Sequence, residues 1–378
     1  MISFARTDTS VVGRWWWTVD RWLLASLLLL MAAGVLFAMA ASPPKAEALG
    51  LPAFHFVRRQ LMFMPIALAL LVGFSLMSPI TVRRTATLLF CAFFVLTALT
   101  LVLAPEIKGS QRWLYVGGFP LQPSEFLKPM FIVVIAWMFA EHKRHEGFPG
   151  NFIAIALCAM TLGVLILQPD FGQAFLLFMV WSAMFFMAGL PLYTIVLLGI
   201  TGVGAAITAY SLLPHVASRV DRFLDPASGD TYQIEKAMTA FQSGGFLGRG
   251  PGEGVVKNGL PDAHTDFVFA VIGEEFGLIA CFGLVLLFAF VVLRGFLHIL
   301  RENDPFVFLA GSGLMVLFGL QAVINISVNL DLIPSKGMTL PFISYGGSSL
   351  LSLSMAMGMA LALTRRTHFG GTLGRPLP

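Results

Sequence analysis

Long uncharged apolar stretches dominate this chain, separated by short polar clusters. Stretches free of Asp, Glu, Lys and Arg cover 22–44, 60–82, 85–105, 147–169, 171–218, 305–330 and 337–364, with lengths of 23, 23, 21, 23, 48, 26 and 28 residues. A helix crosses a bilayer core with about 20 apolar residues, so each shorter stretch predicts one span. The longest predicts two, broken at Gly189-Leu190-Pro191, because proline cannot continue a helix interior. Two more spans carry charges: 124–140 with Glu125 and Lys128 in its first turn, and 266–293 with Glu274 and Glu275. The prediction is an all-α, polytopic membrane protein of ten transmembrane helices. The segments are apolar all round, so periodicity does not separate buried from lipid-facing sides.

Composition excludes the soluble alternatives. Apolar residues make up 57% of the 378 residues, charged residues only 12%, and the mean hydropathy is +0.83. So few charges cannot cover a water-soluble surface, for which about 25% is usual. A net charge of +4, from 24 basic against 20 acidic groups, makes no basic patch and argues against a nucleic-acid partner. With the N-terminus inside, the cytoplasmic segments hold twelve Lys and Arg and the outer segments six, leaving aside the loop 214–265. That asymmetry predicts both termini in the cytoplasm. The organisation is a cytoplasmic segment 1–21, a membrane domain 22–364 and a cytoplasmic tail 365–378. Trp15-Trp16-Trp17 suits an interfacial anchor. Ala38-Met39-Ala40 imitates a signal-peptidase site, but the run Trp22–Ser42 exceeds a signal-peptide core and reads as a retained helix. Cys91, Cys158 and Cys281 fall inside spans, which predicts buried apolar thiols and no disulfide framework.

The remaining polar residues gather on the predicted outer side. The loop 214–265, between the seventh and eighth spans, carries Arg219, Arg222 and several glycines. Neither a preceding strand nor a following Gly-Lys-Ser/Thr supports a nucleotide loop; turn-forming glycine or a backbone nest for phosphate are the readings left. His264-Thr265-Asp266 follows at the membrane boundary, where Asp266 is either a helix N-cap or a partly desolvated general base. A second cluster is Gly109-Ser110-Gln111-Arg112-Trp113 with Gln122-Pro123-Ser124-Glu125-Phe126-Leu127-Lys128, where Ser124 is a candidate cap and Glu125 and Lys128 share a face. A third is the sharp turn at Gln168-Pro169-Asp170. The fourth, Pro334 to Ser349 with Lys336 and Ser344, is a Pro/Gly-broken re-entry, and such backbone at membrane depth must be buried in protein or line a cavity. The cations Arg112, Lys128, Arg219, Arg222 and Lys336 with isolated carboxylates suggest a headgroup site for a phosphate-bearing lipid. No metal-ligand spacing of His and Cys appears.

Together these motifs resemble the SEDS family (shape, elongation, division and sporulation), the polytopic peptidoglycan polymerases. The resemblance is carried, in order, by Gly109–Trp113, Gln122-Pro123-Ser124-Glu125-x-x-Lys128, Gln168-Pro169-Asp170-x-Gly172, Arg219-x-x-Arg222, Ser243-Gly244-Gly245, Ala263–Phe267, Gly273-Glu274-Glu275-x-Gly277 and the Pro334–Ser349 segment. The pairing of Ala263-His264-Thr265-Asp266 with Ile272-Gly273-Glu274-Glu275 resembles the cell-division branch more than the elongation branch. Asp262, Asp331 and Ser335 depart from the usual pattern, and Asp331 adds a charge near the re-entry.

The resemblance implies a ten-helix fold in the bacterial cytoplasmic (inner) membrane at the division septum. It implies a glycosyltransferase acting on lipid II and undecaprenyl-pyrophosphate-linked glycan, with a class B penicillin-binding protein and other divisome proteins as partners. Its catalytic carboxylate corresponds to Asp266. Arg112, Glu125, Lys128, Asp170, Arg219, Arg222, His264, Lys336 and Ser344 are the residues assigned to the substrate. A divalent cation, magnesium or manganese, is a further means of neutralising the pyrophosphate. Two other classes fit the same polar groups: a lipid II flippase, and a non-catalytic divisome scaffold. A transporter places polar groups near the midplane, whereas here only Glu274 and Glu275 lie well inside a span.

Overall fold

A computed structural model describes residues 10–106, 110–189, 192–212, 217, 221, 232–334 and 337–365. Among these are twelve α-helices: α1 Val11–Thr18, α2 Arg21–Ala48, α3 His55–Ser75, α4 Pro79–Leu103, α5 Pro123–Arg144, α6 Gly150–Leu167, α7 Phe171–Met187, α8 Leu192–Leu212, α9 Tyr232–Gly244, α10 Val268–Ile299, α11 Pro305–Asn329 and α12 Gly347–Leu363. Seven of them (α2 to α6, α10 and α11) are long and apolar enough to cross a membrane, while α7 and α12 are apolar but shorter.

Helix starts follow local chemistry. Asp20, Ser78, Asp170 and Asp304 cap α2, α4, α7 and α11 through their side chains, and Pro79, Pro123 and Pro305 stand in first turns, where no amide is missed. Helix α5 is buried on nearly every side, wrapped by α4, α6, α7, α11 and α12.

Several expectations are revised. The stretch 60–82 is not one helix: α3 begins at His55, carries Arg58 and Arg59 within it, and ends at Ser75 before Ser78 caps α4. The stretch 337–364 spends its first ten residues on irregular backbone, which leaves α12 short. An antiparallel hairpin, β1 Leu114–Val116 with β2 Phe119–Leu121, interrupts the all-α expectation, turning at Gly117 and Gly118 with φ of 58° and 81°. Part of the loop 214–265 is structured, holding α9 and a 3₁₀ turn at Val256–Gly259. Trp15 points inward, its indole donating to Ser75 Oγ at 2.9 Å. Cys158 and Cys281 are buried as expected, but Cys91 is exposed on α4.

The two ends of the bundle are distinguishable. At one end α1, the start of α2 and the ends of α3, α10 and α12 meet, joined by Trp15–Ser75, by Arg294–Asp20 at 2.8 Å and by Arg365 donating to Ser75 O and Leu76 O. At the other, the end of α2 and the starts of α3, α5, α7, α10 and α12 surround the irregular segments 245–267 and 337–346.

Candidate functional site

The site end is organised by a kink. Gly277 in α10 has φ 79° and ψ 177°, outside helical values. A side chain there would collide with the turn at 245–247, since a Cβ would lie 2.3 Å from Phe246 O. The kink frees backbone groups inside an apolar helix, and segment 245–250 takes them up. Arg249 N and Gly250 N donate to Glu274 O and Glu275 O at 2.9 and 3.0 Å, while Leu278 N donates to Gly245 O at 3.0 Å. Freed helix groups at membrane depth persist only where other backbone satisfies them.

The carboxylates of Glu274 and Glu275 fasten the rest of the loop. Glu274 accepts from Val255 N, Val256 N and Lys257 N at 2.7, 2.7 and 2.9 Å. Glu275 accepts from Gly252 N at 3.0 Å and from Lys257 Nζ, which also donates to Ala40 O of α2 at 2.9 Å. All three side chains are buried. These charges hold structure in place.

From that base the chain turns tightly into α10. Asp262 has φ 54°, and its carbonyl accepts from the amides of Thr265, Asp266 and Phe267. Its carboxylate lies 3.6 Å from Lys45. The helix begins at Val268 with Phe267 in the cap position and no side-chain cap bond, so Asp266 is not the N-cap. Its carbonyl is instead gripped by Asn325 and Asn329 of α11, whose Nδ2 groups donate at 2.9 and 2.8 Å. The carboxylate is half-exposed and faces Gly337, where an added Cβ would lie 3.3 Å from Oδ2.

The re-entrant segment is tied to the same turn. Asn325 Nδ2 donates to Met338 O at 2.6 Å, and Gln321 Nε2 to Thr339 O at 3.1 Å. Ser344 Oγ accepts from Leu340 N at 2.8 Å and donates to Thr265 O, while Tyr345 N donates to His264 O at 2.9 Å. Helix α2 touches this segment so closely that a Cβ at Gly34 would lie 2.0 Å from Phe342 O. His264 is buried between the rings of Phe56 and Tyr345, with centroids 4.4 and 5.6 Å away. Burial pushes its pKa down to about 4, with Lys45 adding to the effect against the opposing Asp262, so the ring is neutral at pH 7.

Glu125, Lys128, Asp170 and Arg112 form a second group. Lys128 Nζ lies 3.0 Å from Glu125 and donates to Gln173 Oε1 at 2.7 Å, and Gln173 Nε2 returns to Glu125 Oε1 at 2.7 Å. Arg112 lies 3.4 Å from the buried Asp170 and donates to Gln168 O and Pro169 O. Asp170 caps α7, so here the carboxylate is a cap. Ser124 does not cap α5, which begins at Pro123 behind Gln122.

The start of α12 joins the two groups. Ser348 Oγ accepts from Gln122 N at 3.0 Å, Ser349 Oγ meets Thr339 Oγ1 at 2.7 Å, and Ser352 Oγ donates to Glu125 O at 2.6 Å. The structure thus brings Asp266, His264 and Ser344 together, and links them through α12 to Glu125, Lys128, Asp170 and Arg112. Arg219, Arg222 and Lys336 lie outside the described residues. Sequence reasoning did not assign Asn325, Asn329 or Lys257 to the site. Two asparagines four apart in an otherwise apolar span are a legible signal, because such amides need partners in lipid. Among the described residues no group of three His, Cys, Asp or Glu side chains is placed to hold a metal ion.

Comparisons with known proteins agree on one kinship. A protein named probable peptidoglycan glycosyltransferase FtsW from Caulobacter vibrioides is 48% identical, aligned over 96% of this chain and 94% of its own. The protein of the same name from Coxiella burnetii is 36% identical over 93% of this chain and 98% of its own. A solved chain from a peptidoglycan synthase complex that coordinates polymerisation and crosslinking superposes with a TM-score of 0.75 at 26% identity, over 92% of this chain and 97% of that one. The rod shape determining protein RodA of Thermus thermophilus superposes with a TM-score of 0.69, also at 26% identity, with the same coverage. The model of the FtsW, RodA and SpoVE family, described as cell cycle proteins, matches residues 20–368, and the chain belongs to that family.

Proposed function

We propose that this chain is an inverting peptidoglycan glycosyltransferase that polymerises lipid II during septal wall synthesis, with Asp266 as general base. The observation that carries the base assignment is the way Asp266 is held. A carboxylate at a helix start normally caps it, but this one is left out of the cap, gripped by its carbonyl through Asn325 and Asn329, and set against a residue without a side chain.

In the proposed step the Asp266 carboxylate accepts the proton of a sugar hydroxyl on the acceptor lipid II. The hydroxyl oxygen attacks the anomeric carbon of the donor glycan from the face opposite its pyrophosphate. The carbon–oxygen bond to pyrophosphate breaks, and the lipid pyrophosphate leaves with the electron pair. Inversion turns an α-linked pyrophosphate into a β-1,4 glycosidic bond. Base catalysis of this kind contributes about a hundred- to ten-thousandfold; the remainder falls to positioning and to cations opposite the leaving group. A divalent cation would enter on the pyrophosphate of the substrate.

The same reading places ten spans in the cytoplasmic membrane: the seven long helices with α7, α8 and α12. It puts both termini in the cytoplasm, the Asp266 end outside, and a class B penicillin-binding protein alongside within the division machinery. The main support against a flippase is that Glu274 and Glu275, the charges well inside a span, are consumed by loop amides and by Lys257. Purified protein incubated with lipid II in detergent, with and without a cognate transpeptidase, tests the proposal. Long glycan strands are the expected product; a flippase or a scaffold makes none where there are no two compartments.

A further inference from the structure

The cations of the second group are already matched by protein carboxylates: Arg112 by Asp170 and Lys128 by Glu125. A pyrophosphate leaving group needs cationic donors that are not so occupied. One such cation stands beside the Asp266 turn in the first turns of α3, ahead of the span predicted from 60. Phe56, Arg59 and Phe63 follow one another along α3 at spacings of three and four, so they share a face.

Phe56 packs on His264 and Tyr345, with ring centroids 4.4 and 5.1 Å away. Phe63 packs on Phe119 of the hairpin at 5.7 Å. Arg59 lies between these contacts, its guanidinium carbon 5.6 Å from the Phe119 centroid and its charge near enough to the Tyr345 phenol to act on it. Both partners are neutral, and among the described residues no carboxylate lies within ion-pair distance of Arg59. It is half-buried, so its charge is only partly screened by water. Tyr345 in turn is pinned by its amide to His264 O, two residues before Asp266.

We propose that Arg59, oriented by Phe119 and Tyr345, is a seat for the departing lipid pyrophosphate. A guanidinium held over a ring and beside a phenol keeps donors of its planar fork for phosphate oxygens. The hairpin gains a role in this picture: it carries the ring that holds the fork in place. The inference rests on the glycosyltransferase reading above, since that reading supplies the pyrophosphate.

The test uses the purified full chain in detergent and three probes: undecaprenyl pyrophosphate, undecaprenol and inorganic pyrophosphate. Affinities are followed by tryptophan fluorescence for wild type, Arg59→Gln, Arg59→Lys and Asp266→Asn. Undecaprenyl pyrophosphate is expected to bind Arg59→Gln about tenfold more weakly, a loss ordinary for one charge-assisted contact. Undecaprenol should be unaffected, inorganic pyrophosphate should compete only where Arg59 is present, and Arg59→Lys should recover part of the affinity. Asp266→Asn should bind all three as wild type does, which separates this inference from the base assignment. Equal affinity of wild type and Arg59→Gln for undecaprenyl pyrophosphate overturns it. So does an equal loss for undecaprenol, which would make Arg59 a packing residue.

Discussion

The two ends of this helix bundle solve the same problem, burying charge beside lipid, in opposite ways. At the end where Trp15 meets Ser75, one carboxylate closes the structure. Asp20 caps α2 through Trp22 N and Leu23 N, pairs with Arg294 at 2.8 Å and meets His298 at 3.1 Å. The partners lie on regular helices. At the Asp266 end, backbone has been taken out of helices, at the Gly277 kink and over 337–346, and buried side chains are used to satisfy it. The difference teaches where chemistry is placed. A capped helix end is self-sufficient, whereas the irregular end positions Asp266 through its carbonyl, held by side chains of another helix.

This contrast predicts unequal sensitivity to mutation. The largest effect is expected at Lys257. Lys257→Met leaves Glu275 buried without its cation, which typically costs about 3–5 kcal/mol. A large fall in detergent melting temperature and loss of polymerisation should follow, with much of the stability restored in Lys257→Met/Glu275→Gln. Next is Gly34→Ala, whose Cβ would press on Phe342 O. Overpacking of this kind costs about 1–3 kcal/mol, and because it displaces the re-entrant segment, polymerisation should fall more than stability does. Asp20→Asn keeps a competent cap and loses the charge facing the partly exposed Arg294 and His298, for about 1 kcal/mol. Its melting temperature should fall slightly while the polymerisation rate stays at wild type. A loss of activity in Asp20→Asn as large as that in Gly34→Ala would break the comparison.

The smallest effect is a dependence on pH. His264 titrates at about 4 when folded against 6.5 for the free side chain. Between those values the unfolded chain binds a proton that the folded chain does not. Stability from this residue is therefore complete above pH 6.5 and declines as pH falls toward 4. Melting curves across that range should show the decline in wild type and a shallower one in His264→Phe.

Much of the fold was legible because lipid imposes a simple code. Uncharged runs located the helices, and the break near Gly189 falls between the end of α7 at Met187 and the start of α8 at Leu192. The exceptions have separate causes. Arg58 and Arg59 lie inside α3 because its first turns belong to the polar end, where charge ends no helix. The hairpin at Leu114–Leu121 escaped notice because three-residue strands are too short to show alternation. At the site, Asp266 stood out as a carboxylate at a span boundary, but its supports did not. Asn325 and Asn329 act through a carbonyl 59 and 63 residues away, and Glu274 holds amides of 255–257, contacts that no local pattern encodes. Arg112 and Asp170 were read as separate groups and are in fact partners.

The central claim is that Asp266 removes the proton of the attacking hydroxyl, and replacing it by asparagine tests this with almost no change of shape. Asn325 and Asn329 hold only its carbonyl, which the substitution preserves. The measurement is the rate of lipid II polymerisation by purified Asp266→Asn beside wild type, with melting temperature as the control for folding. The account predicts an unchanged melting temperature and a rate lower by about a hundred- to ten-thousandfold. Glycan made by Asp266→Asn at the wild-type rate would contradict it.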